Sequence, residues 1–178
     1  MRILLTSNSA RVNSEVKAAL IGRSDIDFLE VTTPQRALAV LDDGEQGAFD
    51  LVLADNDMHP AGGFYLSREI KARAQMGREM PPVILVLARP QDVWLSDWAQ
   101  ADAYVLKPID PFNLAEVVDA IVAGQPVPAL PNVGGDPTPS LLQVPGGSRT
   151  VQGSDCPICS PRGRADWRER ALRLSATD

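Results

Sequence analysis

Over the first 123 residues, short apolar runs alternate with segments whose apolar positions recur every three to four residues. Arg2-Ile3-Leu4-Leu5-Thr6 reads as a strand. Ser9 is an N-cap by residue type, and Val12, Val16, Ala19 and Leu20 keep helical spacing behind it, with Gly22 just past the end. Phe28-Leu29-Glu30-Val31 is a second strand. Thr33-Pro34 then combines a cap with a proline at the first helical position, opening a helix through Ala37, Leu38, Val40 and Leu41 that stops near Asp43-Gly44. Leu51-Val52-Leu53-Ala54 is an apolar run that ends in a carboxylate, Asp55. A Pro/Gly-rich loop follows, and a helix begins at Gly63-Phe64 and runs to about Gln75.

The pattern repeats twice more. Val83-Ile84-Leu85-Val86-Leu87 is apolar throughout, as expected of a central strand covered on both faces. A short helix is expected around Asp92–Ala99, a fifth strand at Ala103-Tyr104-Val105-Leu106, and a last helix from the cap-plus-proline pair Asp110-Pro111 to about Val122. Five strands alternating with five helices predict an α/β fold, a (βα)5 doubly wound five-stranded parallel sheet. In such sheets, sites form beyond the carboxyl ends of the strands, which is where Asp55 falls.

After Ala123 the pattern stops. Residues 124–178 contain 8 Pro and 7 Gly, about 27% of the segment, a composition associated with unstructured chain. Residues 124–155 therefore read as a flexible linker, residues 156–178 as a C-terminal anchor segment, and residues 1–123 as the folded domain.

Charge sharpens this division. Residues 1–123 hold 11 Lys/Arg against 18 Asp/Glu, and residues 124–178 hold 6 against 5. An acidic body argues against a nucleic-acid surface, which needs Lys and Arg to neutralise phosphates. The tail has no paired helices to make a helix-turn-helix. No apolar run approaches the ~18 residues that would span a bilayer, and the N-terminus lacks a signal-peptide pattern, so the expected location is cytoplasmic. No Gly-rich phosphate loop follows the first strand, where Thr6-Ser7-Asn8-Ser9-Ala10 stands, so no nucleotide or redox cofactor is expected.

Asp55, Met58, Gly63-Phe64 and Lys107-Pro108, spaced as they are on a (βα)5 chain, resemble the response-regulator receiver domain over about residues 1–123. The resemblance implies that Asp55 is the phosphoacceptor position. It also implies an acidic pair after strand one for Mg2+, a Thr or Ser after strand four, an aromatic switch residue and a Lys that pairs with the phosphoryl group. Asp55, Lys107 and the aromatic Tyr104 are present. The acidic pair falls on Ser7 and Asn8, and the strand-four hydroxyl falls on Leu87, which has none and fills the space a phosphoryl group would need. The expectation is a pseudo-receiver that is not phosphorylated, with Asp55 and Lys107 left as an ion pair and His59 as a solvated loop residue. The alternative is an orphan two-component regulator still phosphorylated on Asp55. Asp55-Asn56-Asp57 also resembles the nucleophile motif of haloacid-dehalogenase-type phosphatases, but the further acidic motif that family needs falls on Ser7-Asn8 and Leu87, so no enzymatic activity is expected.

A narrower resemblance lies in Ile84–Pro111, where Trp94 and Trp98 stand four residues apart. The segment is similar to a small group of atypical orphan response regulators of actinobacteria encoded beside the subunits of respiratory complex I. It implies an accessory subunit of that NADH:quinone oxidoreductase, held by protein partners and peripheral to the cytoplasmic face of the membrane through them. Residues four apart share one side of a helix, so the two rings either pack on the domain's own core or anchor a partner.

The tail offers two further features. Cys156 and Cys159 have half the spacing of a zinc site and no second pair, which leaves free thiols, a redox pair or ligands completed by a partner. Trp167, Ala171 and Leu174 keep helical spacing among five arginines. That segment reads as a disordered end, as a helix formed in a partner's groove, or as a basic segment resting on an anionic membrane.

Overall fold

The computed structural model describes residues 1–22, 25–43 and 48–135. β1 (Arg2–Thr6), β2 (Asp27–Val31), β3 (Leu51–Asp55), β4 (Val83–Leu87) and β5 (Ala103–Leu106) alternate with α1 (Ala10–Ala19), α2 (Pro34–Asp42), α3 (Gly63–Gln75), α4 (Val93–Trp98) and α5 (Pro111–Val122). A turn of 3-10 helix at Pro90–Asp92 leads into α4. The caps follow residue chemistry. Ser9, Thr33 and Asp110 each accept a backbone N–H three residues on, from Val12, Arg36 and Asn113, satisfying donors that the first turn leaves free.

The order of these strands is β2-β1-β3-β4-β5, all paired in parallel. β3 and β4 are buried at every position, because helices cover both faces. Alternation divides their side chains between two layers. Leu4, Val52, Leu85 and Leu87 face the layer shared with Leu38 and Leu66, whereas Leu5, Leu53 and Val86 face the layer shared with Val16 and Val117.

The expected linker is corrected at its start. Residues 124–135 are packed on the domain, and Val133–Gly134 form a sixth strand, β6, antiparallel to β5. The sheet therefore has six strands rather than five. Gly124 (φ 64°) closes α5 in the left-handed conformation. The chain turns at Asn132 (φ 63°), and Val127 and Val133 settle against the α1/α5 layer. Pro/Gly richness signalled disorder, but a strap built of turns has the same composition. The opposite edge, β2, carries charge instead of a covering strand: Asp27 pairs with Arg2 at 3.4 Å and Glu30 pairs with Lys17, a common way to blunt an edge.

Candidate functional site: the Asp55 pocket and the α4 face

Asp55 closes β3 between β1 and β4 and is 1% exposed. Three donors reach its carboxylate. The Ser7 hydroxyl donates to Oδ2 at 2.9 Å, while the Asp57 backbone N–H and the Lys107 ammonium donate to Oδ1 at 3.1 and 2.8 Å. Lys107 Nζ also donates to Asp57 Oδ2 at 2.8 Å. Ser7 is buried, and its hydroxyl oxygen accepts the Ser9 N–H at 3.0 Å. Burial works against the Lys107 ammonium, but hydrogen bonds and charge from Asp55 and then Asp57 outweigh it, holding its pKa above the usual 10.5.

The backbone explains the placement. The Lys107 N–H donates to Leu87 O at 2.8 Å and the Asn56 N–H to Val86 O at 3.0 Å, so the ends of β3 and β5 are both anchored on β4. Asn56 Oδ1 then accepts the Phe64 N–H at 3.2 Å at the start of α3. A Cβ at Gly62 would lie 2.4 Å from Asn56 O, and one at Gly63 would lie 2.9 Å from Leu85. Backbone contact at that distance excludes a side chain at Gly62. Met58 is buried beneath the loop, and His59 is exposed with Nδ1 3.3 Å from Asp57 O.

Asn8 is exposed, and Leu87 is fully buried in the α2/α3 layer. The donor set beside Asp55 is thus a neutral hydroxyl, a neutral amide, and one carboxylate, Asp57, already paired with Lys107. Mg2+ favours carboxylates and water, so these residues do not fit the Mg2+ site that the receiver resemblance implies. Among the described residues no three His, Cys, Asp or Glu side chains come together in a way that could hold a metal ion. Sequence reasoning weighed Asp57 only as part of the phosphatase motif and missed it as a partner of Lys107. The Asp55 side chain accepts the N–H two residues on, which brings Asp57 to the pocket, but no local spacing marks its carboxylate as a partner of Lys107.

The second region is α4. Trp94 is 59% exposed and Trp98 44% exposed, so neither ring is absorbed by the core. The helix is held from behind by α3. Ser67 Oγ donates to Ala99 O at 3.0 Å, Arg68 reaches Trp98 O at 3.4 Å and stacks 5.1 Å over its ring, and Lys71 Nζ donates to buried Asp102 at 2.6 Å. Tyr104 packs against the same layer, and burial, followed by the charge of Asp97, raises its phenol pKa. The tail candidates Cys156, Cys159, Trp167 and Leu174 lie outside the described residues. Among the described residues, no helix is long and apolar enough to cross a membrane.

No family model matches the chain. It is 30% identical over 123 residues to the uncharacterized response regulatory proteins of Mycobacterium tuberculosis strains CDC 1551 / Oshkosh and H37Rv, a match covering 66% of this chain and 88% of each relative. Among solved structures it is similar to the signal receiver domain of a signal transduction histidine kinase from Syntrophus aciditrophicus, with 26% identity, a TM-score of 0.59, and coverage of 69% of this chain and 90% of that one. A CheY-like receiver domain protein from Methanospirillum hungatei matches with 24% identity and a TM-score of 0.57 over 70% of this chain and 94% of its own, a likeness in fold alone.

Proposed function

This chain belongs to the response-regulator receiver family, and from that premise we propose that it works as a protein-binding module that does not run on phosphate. The observation that carries this reading is the Ser7 hydroxyl bound 2.9 Å from Asp55 Oδ2, where the family's metal-binding acids are expected. Phosphoryl transfer to a carboxylate needs a cation to neutralise charge on the transferring oxygens, and a hydroxyl supplies none. Leu87 adds to this by filling, with buried hydrocarbon, the place of the hydroxyl that would contact a phosphoryl group. The two exposed tryptophans on α4 supply large rigid anchors of the kind that dominate binding energy. On the resemblance of Ile84–Pro111, the partners are subunits of respiratory complex I, with this chain as an accessory or regulatory subunit at the cytoplasmic face.

Gentle purification of the tagged chain from solubilised membranes, followed by mass spectrometry, tests the partner. Recovery of complex I subunits in near-equal amounts supports the assignment, and recovery of the chain alone in the soluble fraction ends it.

One observation favours a second reading. Lys107 still lies 2.8 Å from Asp55, the pairing a working receiver uses, so Asp55 could accept a phosphoryl group in a signalling role. Incubation with a small phosphodonor and Mg2+ separates the two. A gain of one phosphoryl mass that vanishes in Asp55→Asn would establish the second reading over the first.

A further inference from the structure

The packed start of the tail has no counterpart in the five-stranded receiver pattern. Residues 124–135 leave the C-terminal end of α5, reach back to its first turn at Asn113 and return antiparallel to β5. The Leu106 N–H donates to Asn132 O at 2.8 Å, Tyr104 faces Gly134, and Val105 faces Val133. Asn113 on α5 donates to Pro131 O at 2.9 Å. The contact depends on two glycines. A Cβ at Gly134 would lie 2.6 Å from Tyr104 Oη and 2.8 Å from Cζ. At Gly135 (φ 145°) it would lie 2.4 Å from both Ala103 Cα and Asp102 O. Tyr104 is therefore held between the strap on one side and the layer behind α4 on the other.

We propose that residues 124–135 are a displaceable clasp that fixes Tyr104 and closes the β5 edge, so that the α4–β5 face is controlled from the C-terminal side of the domain rather than from the Asp55 pocket. This rests on the reading above only in taking that face as the contact face. The clasp itself is tested without a partner or a phosphodonor.

Two features make the segment the natural place for a local opening. Its pairing is two residues long, well short of the five or six of an ordinary strand, and Pro131, Asn132 and Gly135 are exposed. Segments with little burial and exposed backbone bonds open at low free energy while the core stays closed. The strands beneath do not need the clasp to keep their order, since β4 pairs with β5 and is buried throughout. The coupling to Tyr104 is steric. The ring meets the glycine backbone so closely that the two must move together or part.

Gly134→Val and Gly135→Ala, each made in the full chain, test the proposal by amide hydrogen exchange. The expected result is exchange at the Leu106 amide at least tenfold faster than in the parent, with β1, β3 and β4 within about twofold of it. In a Tyr65→Phe background, which leaves Tyr104 as the single tyrosine, its phenol should titrate at lower pH once the clasp is open, because burial is the main cause of its raised pKa. Unchanged protection at Leu106 in both variants would overturn the proposal. So would acceleration shared equally by β1, β3 and β4 in both, because the segment would then be part of the core and not a clasp.

Discussion

The Asp55 pocket, built at the ends of β1, β3 and β5, and the α4 face treat their functional groups in opposite ways. In the pocket, the protein's own groups satisfy the carboxylate: Ser7, Asp57 and Lys107 take its oxygens, and Leu87 at the end of β4 is buried in the α2/α3 layer. On α4 the polar backbone is tied down from behind by α3, and the large apolar rings are turned to solvent. A buried polar cluster whose bonds are all made has little left to offer a ligand, whereas exposed aromatic surface on a braced support does. On the proposed reading, a receiver keeps its fold and the aspartate at the end of β3 while partner binding moves to another surface.

The largest test of this contrast is Lys107→Met. It leaves Asp55 buried beside one hydroxyl and one N–H, and breaking a buried pair from one side costs about 3 kcal/mol or more. Urea unfolding should show this loss, and the double variant Asp55→Asn/Lys107→Met should recover a large part of it. Full recovery is not expected, because Asp57 loses a partner too. A negligible loss in the single variant would mean the pocket is not closed by this pair.

Leu87→Thr comes next. Threonine would bring back a hydroxyl at the end of β4, but in an apolar layer, at a cost of about 1–3 kcal/mol. The measurement is the same, accompanied by the phosphodonor test, in which no phosphoryl mass should be gained. A stable variant that accepts phosphate would show that one side chain separates this pocket from a working one.

For the α4 face the expectation reverses. Trp94→Ala should change stability by no more than about 0.5 kcal/mol, since the ring is largely exposed. If Trp94 is an anchor, the same variant should weaken partner retention by about 1–2 kcal/mol, read as loss from the membrane pull-down. Partner retention that survives Trp94→Ala and Trp98→Ala together would move the interface elsewhere.

The smallest effect concerns pH and lies outside both regions. Arg73 hydrogen-bonds to Asp42 at 3.1 Å, and that bond, more than the opposing desolvation, holds the Asp42 pKa below its ordinary 3.8. A depressed folded-state pKa contributes stability above the unfolded value and loses it as pH falls through the folded one. The parent should therefore lose slightly more stability than Asp42→Asn between pH 4 and lower pH. The increment is small because the carboxylate is partly exposed. Lys107 works with the opposite sign. Its raised pKa contributes stability that is complete below 10.5 and is lost as pH rises through the folded value.

Much of this was legible in the chain. The cap residues Ser9, Thr33 and Asp110 and the apolar runs ending at Asp55 and Leu87 mark their elements because each signal is local. The meeting of Asp55 with Lys107, 52 residues apart, was legible only through the spacing shared with receivers. The part that Asp57 plays, and the exposure of the tryptophans, were not legible. Both depend on how a turn or a short helix is rotated by its neighbours, which no local pattern records. The clasp was misread because composition averaged over 55 residues hides two valines with a place to pack.

A six-residue helix has too few internal bonds to hold itself, and the end of α4 that carries Trp98 is held by Ser67 and Arg68 on the neighbouring helix, α3. Substitutions on that α3 stripe should therefore score in a screen as interface mutations although they touch no partner. Compensating changes in α4 should arise as their second-site suppressors.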